Sequence, residues 1–171
     1  MTYTIRLARP SDYPLLPEIE RAAGTLFRTV SWLPGLPGEP ASVEIIEATA
    51  RCGAVFVAAD ESDMPVGFAL TGFLDRALHI HELDVAPAHA RRGLGRRLVE
   101  QACAFAKAEG APAVTLATFR EVPWNGPFYA SAGFREVPRN QWTPAFHLLH
   151  HLEKGLGLPV EHRCFMRKAL A

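Results

Sequence analysis

The order of elements in the middle of the chain constrains the fold most. Leu78 to Ala86 reads as a strand. The stripe Leu94, Leu98, Ala102 and Phe105 makes residues from about Arg92 to Glu109 an amphipathic helix, which Gly110 and Pro112 stop. Ala113 to Phe119 then reads as a buried strand. Strand, helix and strand in succession form a crossover, so the two strands should lie parallel and side by side. Upstream, the apolar runs Ala54 to Ala59 and Val66 to Phe73 are joined by the turn-forming Asp60 to Pro65, a hairpin signal. The fold class is therefore α/β in the α+β sense: a mixed, mostly antiparallel sheet with a parallel central pair and helices on both faces.

The remaining elements follow from pattern. Thr2 to Ala8 places Tyr3, Ile5 and Leu7 on one face of a half-buried opening strand. Ser11 offers a helix N-cap, and Leu15, Leu16, Ile19, Ala22, Ala23 and Leu26 recur with helical spacing to near Phe27. Ser31 to Pro40 holds Pro34, Gly35, Pro37, Gly38 and Pro40, so it is a shaped loop carrying Trp32. A helix near Ser42 to Cys52 follows. Beyond Phe134, Thr143 to Lys154 looks helical and ends at Gly155, ahead of a final strand from about His162 to Leu170. An extra helical insertion at about 140–160 thus precedes the last strand. With no repeat or linker in view, residues 1–171 are expected to form one domain.

Composition narrows the function. The 171 residues are 49% hydrophobic, enough for one substantial core, and the formal net charge is zero. Zero net charge argues against general nucleic-acid binding, which normally needs a basic excess. Cys52, Cys103 and Cys164 are odd in number and lack CxxC spacing, which suggests reduced thiols in a cytoplasmic protein. The N-terminus lacks a hydrophobic signal segment and no apolar run reaches membrane-spanning length, so no membrane partner is expected.

Chemistry enters where the first parallel strand meets its helix, in Leu83-Asp84-Val85-Ala86-Pro87-Ala88-His89-Ala90-Arg91-Arg92-Gly93-Leu94-Gly95-Arg96-Arg97-Leu98. The first N–H groups of a helix lack internal partners, and the macrodipole adds about half a positive charge there, so a glycine-bearing turn can cradle a phosphate. Arg91, Arg92, Arg96 and Arg97 crowd this positive end, where each should cost about 0.3 to 1 kcal/mol. A negative ligand would relieve that cost. The GxxxxGK[ST] pattern is absent, and Leu98 replaces the third glycine of a dinucleotide fingerprint, so nucleotide hydrolysis and Rossmann redox chemistry lose support.

The stretch resembles the pyrophosphate loop of the GNAT superfamily of acyl-CoA N-acyltransferases, in which Gln or Arg is followed by two residues, Gly, one residue, and Gly or Ala. Gly93 and Gly95 match, whereas Ala90 stands at the Gln/Arg position with Arg91 and Arg92 beside it. Trp124-Asn125-Gly126-Pro127-Phe128-Tyr129-Ala130-Ser131-Ala132-Gly133-Phe134 resembles the later motif of the same superfamily, an Asn-led short helix with Tyr four residues before Gly-Phe. The resemblance spans roughly Thr2 to Glu136.

The resemblance implies a sheet splayed around acetyl-CoA and transfer of its acetyl group to a primary amine of a small molecule or peptide. It places cofactor contacts on Leu83, Asp84 and Val85, on Arg91, Arg92, Gly93, Leu94, Gly95 and Arg96, and on Asn125 and Phe128. Tyr129 occupies the usual acid position, where a helix end or hydrogen bond could bring a phenol of pKa about 10 closer to a thiol near 8.5. Glu82 is the favoured base, and strict alternation would put His79 and His81, the reserve bases, on the opposite face with Leu83 and Val85. A backbone N–H near Val85 would meet the oxyanion. Phe27, Trp32, His81, Trp124 and the helix from Thr143 to Lys154 are expected to line the acceptor site.

Each feature also has a plainer reading. Tyr129 could be a core aromatic, Asp84 structural, Asn125 a simple N-cap, and the extra helix a cover for the sheet or a surface pairing two subunits. His147, His150, His151 and the His79-x-His81 pair lack a clear third ligand, so no metal is expected. Cys103 lies near the buried stripe of its helix and is not expected to carry an acyl group. An acyl-CoA-binding sensor without turnover would keep the loop but need neither Tyr129 nor Glu82.

Overall fold

Two strands that begin side by side and then part give the structure its shape. The computed structural model describes residues 2–33 and 35–170. Met1, Ala171 and Pro34, one of the breakers in the Trp32 loop, lie outside the described residues. The seven-stranded sheet has the order β1-β2-β3-β4-β5-β7-β6. Its strands are β1 (Thr4–Leu7), β2 (Gly53–Ala59), β3 (Pro65–Leu74), β4 (Ala77–Val85), β5 (Ala113–Phe119), β6 (Arg135–Glu136) and β7 (Arg163–Ala169). All neighbours are antiparallel except β4 and β5, as the crossover requires.

That parallel pairing covers only Leu78 to Ile80 against Val114 to Leu116. Beyond it β4 stays paired with β3 as far as Gly67 opposite Val85, and β5 stays paired with β7 as far as Phe119 opposite Arg163. Each strand keeps its outer partner while the inner edges separate. A bulge on β4 accompanies the opening: Leu70 faces Glu82 and Thr71 faces Ile80, leaving His81 as the extra residue. Bulges bend a strand and increase its local twist, which turns the end of β4 away from β5.

The helices lie as the apolar stripes direct. On one face, α3 (Leu94–Ala108) buries Leu94, Leu98, Val99, Ala102 and Ala106 against Leu78, Ile80, Val114 and Leu116. The opposite face carries α1 (Leu16–Gly24) and α2 (Val43–Cys52), whose Leu16, Ile19 and Ile46 pack on Val55, Val57, Phe68 and Leu70. Ser42 caps α2 by accepting the Ile45 N–H at 3.3 Å. Two further helices complete the positioning frame: the short α4 (Gly126–Ser131), and α5 (Pro144–Gly155) between β6 and β7.

One expected boundary changes character. The helix anticipated from Ser11 to Phe27 is a 3-10 turn at Tyr13–Leu15, then α1, then a second 3-10 stretch at Thr25–Thr29. Pro14 and Pro17 each sit where a helical segment begins, the one place where a missing N–H is tolerated. Asp12, not Ser11, organises the entry, accepting the Arg9 N–H at 2.7 Å and pairing with Arg6 at 2.6 Å.

Close backbone approach fixes α4. A Cβ built on Gly126 would lie 2.2 Å from the Arg120 carbonyl oxygen, so the chain after β5 can fold back only with glycine there. Gly126→Ala is expected to destabilise the protein by about 1–3 kcal/mol through forced displacement of α4. Urea denaturation checks this, and an unchanged midpoint would show that the backbone contact is not tight.

Candidate active site

The gap between β4 and β5 presents backbone donors and side chains to the same space. Ala86 donates its N–H to the Val66 oxygen on β3 at 2.8 Å, so alternation turns the Val85 N–H to the other edge, into the gap. At the end of β4 the chain passes through a 3-10 turn at Pro87–His89 and enters α3 through Gly93, with φ of 77°. Arg91 also adopts positive φ, 58°, a conformation that costs a non-glycine residue about 1 kcal/mol and persists only where the surroundings dictate it. The Arg97 N–H closes the first helical turn onto the Gly93 oxygen at 3.1 Å. The amides just before it therefore begin the helix without acceptors.

The cradle has open space where a ligand is expected. A Cβ built on Gly93 meets nothing within 4 Å, and one built on Gly95 reaches only the Phe128 ring, at 3.5 Å, so α3 and α4 lie side by side at this end. The arginines divide the work. Arg96 donates to the Ser131 hydroxyl at 2.8 Å and Arg97 donates to the Tyr3 carbonyl at 3.0 Å. Arg92 lies over the Tyr3 ring, 6.0 Å from its centroid. The Arg96 side chain is thus spent on the C-terminal end of α4, leaving its backbone N–H for the cradle.

On the α1 face of the gap stand Glu82 and Asp84. Leu83 and Val85 pack toward α3, so Glu82 and Asp84 point the other way. Burial first, then the nearby Glu20 carboxylate on α1, pushes Glu82 up to about 7, against the opposing pull of a hydrogen bond with Asp84 and the Arg163 charge on β7. Burial also raises Asp84 well above the ordinary carboxylate range, reinforced by the negative charges of Glu82 and Glu20. Asp84 Oδ2 is buried without a hydrogen-bond partner among the described residues. Glu20 accepts the Ala41 N–H at 3.0 Å and is itself raised by burial. Arg163 is held by Glu153 of α5 at 2.6 Å and lies over the Phe119 ring at 4.8 Å.

Tyr129 approaches from the α3 face. It is 7% exposed and packs edge-on against Phe128 and Phe134, with centroids at 5.0 and 5.8 Å. Burial raises its pKa well above the usual phenol range, and the charges of Glu82 and Asp84 add to the effect across the gap. The expectation that a helix end or hydrogen bond would bring the phenol closer to a thiol is therefore reversed. Asn125 does not cap α4 with its side chain, whose Oδ1 is buried without a partner among the described residues. The simple N-cap reading of Asn125 fails on that observation.

The fold that carries this site has counterparts among known proteins. A sequence profile described as the Acetyltransferase (GNAT) family matches residues 25–134. The chain belongs to the GNAT acetyltransferase family. A GNAT-family acetyltransferase from Staphylococcus aureus Mu50 superposes with a TM-score of 0.75 at 17% identity, covering 99% of this chain and 100% of that one. PaiA N-acetyltransferase from Thermoplasma acidophilum, solved in complex with coenzyme A, gives 0.70 at 14% identity over 99% and 100% of the two chains. The ribosomal-protein-S18-alanine N-acetyltransferase from Escherichia coli gives 0.67 at 19% identity over 99% and 95%. At these identities the structures share the GNAT fold, whose sheet and single parallel pair are those described above.

Within this GNAT fold the histidines depart from expectation. The bulge at His81 reverses the alternation, so His79 and His81 share a face with Glu82 instead of opposing it. His79 is buried, its Nδ1 lies 2.9 Å from the Thr115 hydroxyl, and burial lowers its pKa to about 3, so it is a neutral core residue and not a reserve base. His81 is exposed and close to Gly72, where a built Cβ would lie 2.9 Å from its Nε2. Among the described residues no group of three or more His, Cys, Asp or Glu side chains is arranged to hold a metal ion.

The aromatic residues expected around the acceptor come together only in part. Phe27 contacts Trp124 and Phe119 with centroids at 5.8 and 5.5 Å, while Trp32 lies against Phe119 at 5.6 Å and stacks on His162 at 3.9 Å. His81 makes its ring contact with His79 instead. The extra helix, α5, lays Phe146 flat on Phe165 of β7 at 4.3 Å and so covers the sheet. Glu20 and Arg163 went unread in the sequence. The signal was there: Leu16, Ile19, Glu20 and Ala23 share helical spacing, and Arg163 alternates in register with the inward Phe165.

His79 supplies a pH test. Its folded pKa lies below the usual 6.5, so as pH falls the unfolded chain takes up the proton first. Stability should drop by up to about 1.4 kcal/mol per pH unit between 6.5 and 3. His79→Gln lacks this contribution, so urea unfolding from pH 7.5 to 4.5 should show wild type losing stability relative to the variant. A pH-independent difference would place a charged, solvated imidazole in the folded state.

Proposed function

We propose that this chain acts as one GNAT domain, with α5 inserted before the last strand. It transfers an acetyl group from acetyl-CoA to a primary amine of a small molecule or peptide, by direct attack while both substrates are bound. The observation that carries this reading is the convergence on one gap of the Glu82 carboxyl, the buried Tyr129 phenol and the inward-turned Val85 amide, beside the open cradle at Gly93.

Acetyl-CoA supplies a thioester carbonyl already activated toward an amine. The open cradle at Gly93, with the first amides of α3, suits its pyrophosphate, and the orphaned Asn125 Oδ1 and the Phe128 ring lie on the α4 side of the same groove. Glu82 takes a proton from the acceptor ammonium, freeing the nitrogen lone pair. Burial and the Glu20 charge raise Glu82 above an ordinary carboxylate, which makes it the more effective base near neutral pH. The Val85 N–H meets the negative charge that develops on the carbonyl oxygen. As the C–N bond forms and the C–S bond breaks, Tyr129 gives its proton to the departing thiolate, and the second proton that the nitrogen sheds on becoming an amide restores the phenol by way of solvent.

The raised pKa of Tyr129 fits this role because the same burial penalises the thiolate. Desolvation disfavours both anions, so the transfer depends on their difference and not on the phenol alone. Phe27, Trp124 and Trp32 supply an apolar wall at the end of β5 suited to the acceptor's carbon frame.

Three variants test the assignment in a folded protein, read by free-thiol release with a panel of amines and by calorimetry with CoA. Tyr129→Phe should lower kcat about tenfold or more with CoA affinity little changed. Glu82→Gln should lower kcat/KM by at least about a hundredfold near neutral pH. Gly93→Asp should weaken CoA binding at least about tenfold, because a carboxylate enters the cradle. Full activity in Tyr129→Phe with chemistry rate-limiting, or unchanged CoA affinity in Gly93→Asp, would remove that residue from the mechanism.

A further inference from the structure

Asp84 is the buried titratable group at the gap to which the mechanism gives no task. Plain alternation beyond the bulge puts it on the same face as Glu82, two residues along a regular stretch of strand, with the two carboxyls within hydrogen-bond reach. Its Oδ2 has lost its contact with water and finds no donor among the described residues. An ionised carboxylate in that position would leave a buried charge without the donors that normally stabilise one.

The surroundings decide how many protons the pair holds. Glu20 faces it from α1 with a further carboxyl, Arg163 faces it from β7 with a positive charge partly committed to Glu153, and Tyr129 reaches it from α4 as a neutral phenol. On β4 itself His79 is neutral and His81 lies toward Gly72. Two negative charges in hydrogen-bond contact, with Glu20 beside them, would repel strongly, whereas one charge is matched by Arg163. Arg163 acts on Glu82, whereas Asp84 Oδ2 is buried with no donor among the described residues to stabilise a charge there. The charge therefore belongs on Glu82 and the proton on Asp84.

We propose that Asp84 is a positioning residue: it keeps its proton, donates it in a hydrogen bond to Glu82, and so aims a single carboxylate charge into the gap. In each turnover the amine N–H bond breaks and an O–H bond forms on Glu82, which later releases that proton to solvent. The proton on Asp84 stays where it is throughout. The functional meaning of this arrangement rests on Glu82 serving as the base.

Carbon-13 NMR of the carboxyl groups in the full chain, titrated from pH 5 to 9, reads both residues without an acceptor amine. Asp84 should keep the shift of a protonated acid past neutrality while Glu82 titrates near 7. Asp84→Asn retains an N–H donor and no charge, so the Glu82 midpoint should stay within about half a pH unit. Asp84→Ala removes the donor, and the midpoint should rise by about one unit, a tenfold change in the ionisation constant. A merely structural Asp84 would leave the midpoint in place in both variants, and an ionised Asp84 would make both lower it. Either result overturns the proposal, and if Asp84→Ala does not fold, the wild-type Asp84 signal and Asp84→Asn still decide. Loss of turnover in Glu82→Gln is a separate test of the base, so the two readings can fail independently.

Discussion

Everything at the candidate site depends on β4 and β5 sharing hydrogen bonds over Leu78 to Ile80 and Val114 to Leu116 and then letting go. A sheet interior normally spends its backbone donors on neighbouring strands. Here β3 and β7 hold the outer edges, and the inner edges are left to whatever enters the gap. The opening also joins the two faces of the sheet, which lets a carboxyl on the α1 face act on a phenol that rises from the α3 face. A continuous sheet would have kept them apart.

The cradle and the phenol are mechanically linked. Arg96, in the first turn of α3, holds Ser131 at the end of α4, while Lys168 donates to the Ala132 carbonyl at 2.8 Å and Gly126 locks the start against Arg120. A six-residue helix is too short to persist by its own backbone bonds, so these outside ties set where Tyr129 sits. Arginines that looked like ligands for an anion are partly struts. The cost of cations at a helix start is then offset by carbonyl and hydroxyl acceptors as well as by any bound phosphate.

Much of this was legible in the sequence, for identifiable reasons. Long periodic stretches such as Leu94 to Ala106 and the apolar runs of β2, β3 and β5 carry their own signal, and the crossover fixed the parallel pair. The glycine turn and the Asn-led helix were readable because backbone geometry there demands particular residues. The bulge at His81 was not readable. It arises from pairing between β3 and β4, a long-range event with no local marker, and it reversed the face assigned to two histidines. Proline placement split the first helix for a local reason that pattern-matching on apolar spacing passed over.

Glu20 shows why the electrostatics were harder to read than the fold. A single carboxylate on the apolar side of α1 looks like an imperfection in a stripe, and its meaning appears only when the strand it faces carries two more. Each of the three carboxyls is raised by burial, and neighbouring carboxyls raise Glu82 and Asp84 further, so none can be assigned a protonation state alone. Arg163 breaks the tie by favouring a charge on Glu82, and Glu153 fixes Arg163 from α5. The inserted helix, remote from the gap in sequence and packed as a cover over β7, thereby reaches the proposed base through one ion pair. In the proposed mechanism its influence would be electrostatic, exerted on Glu82 through Arg163.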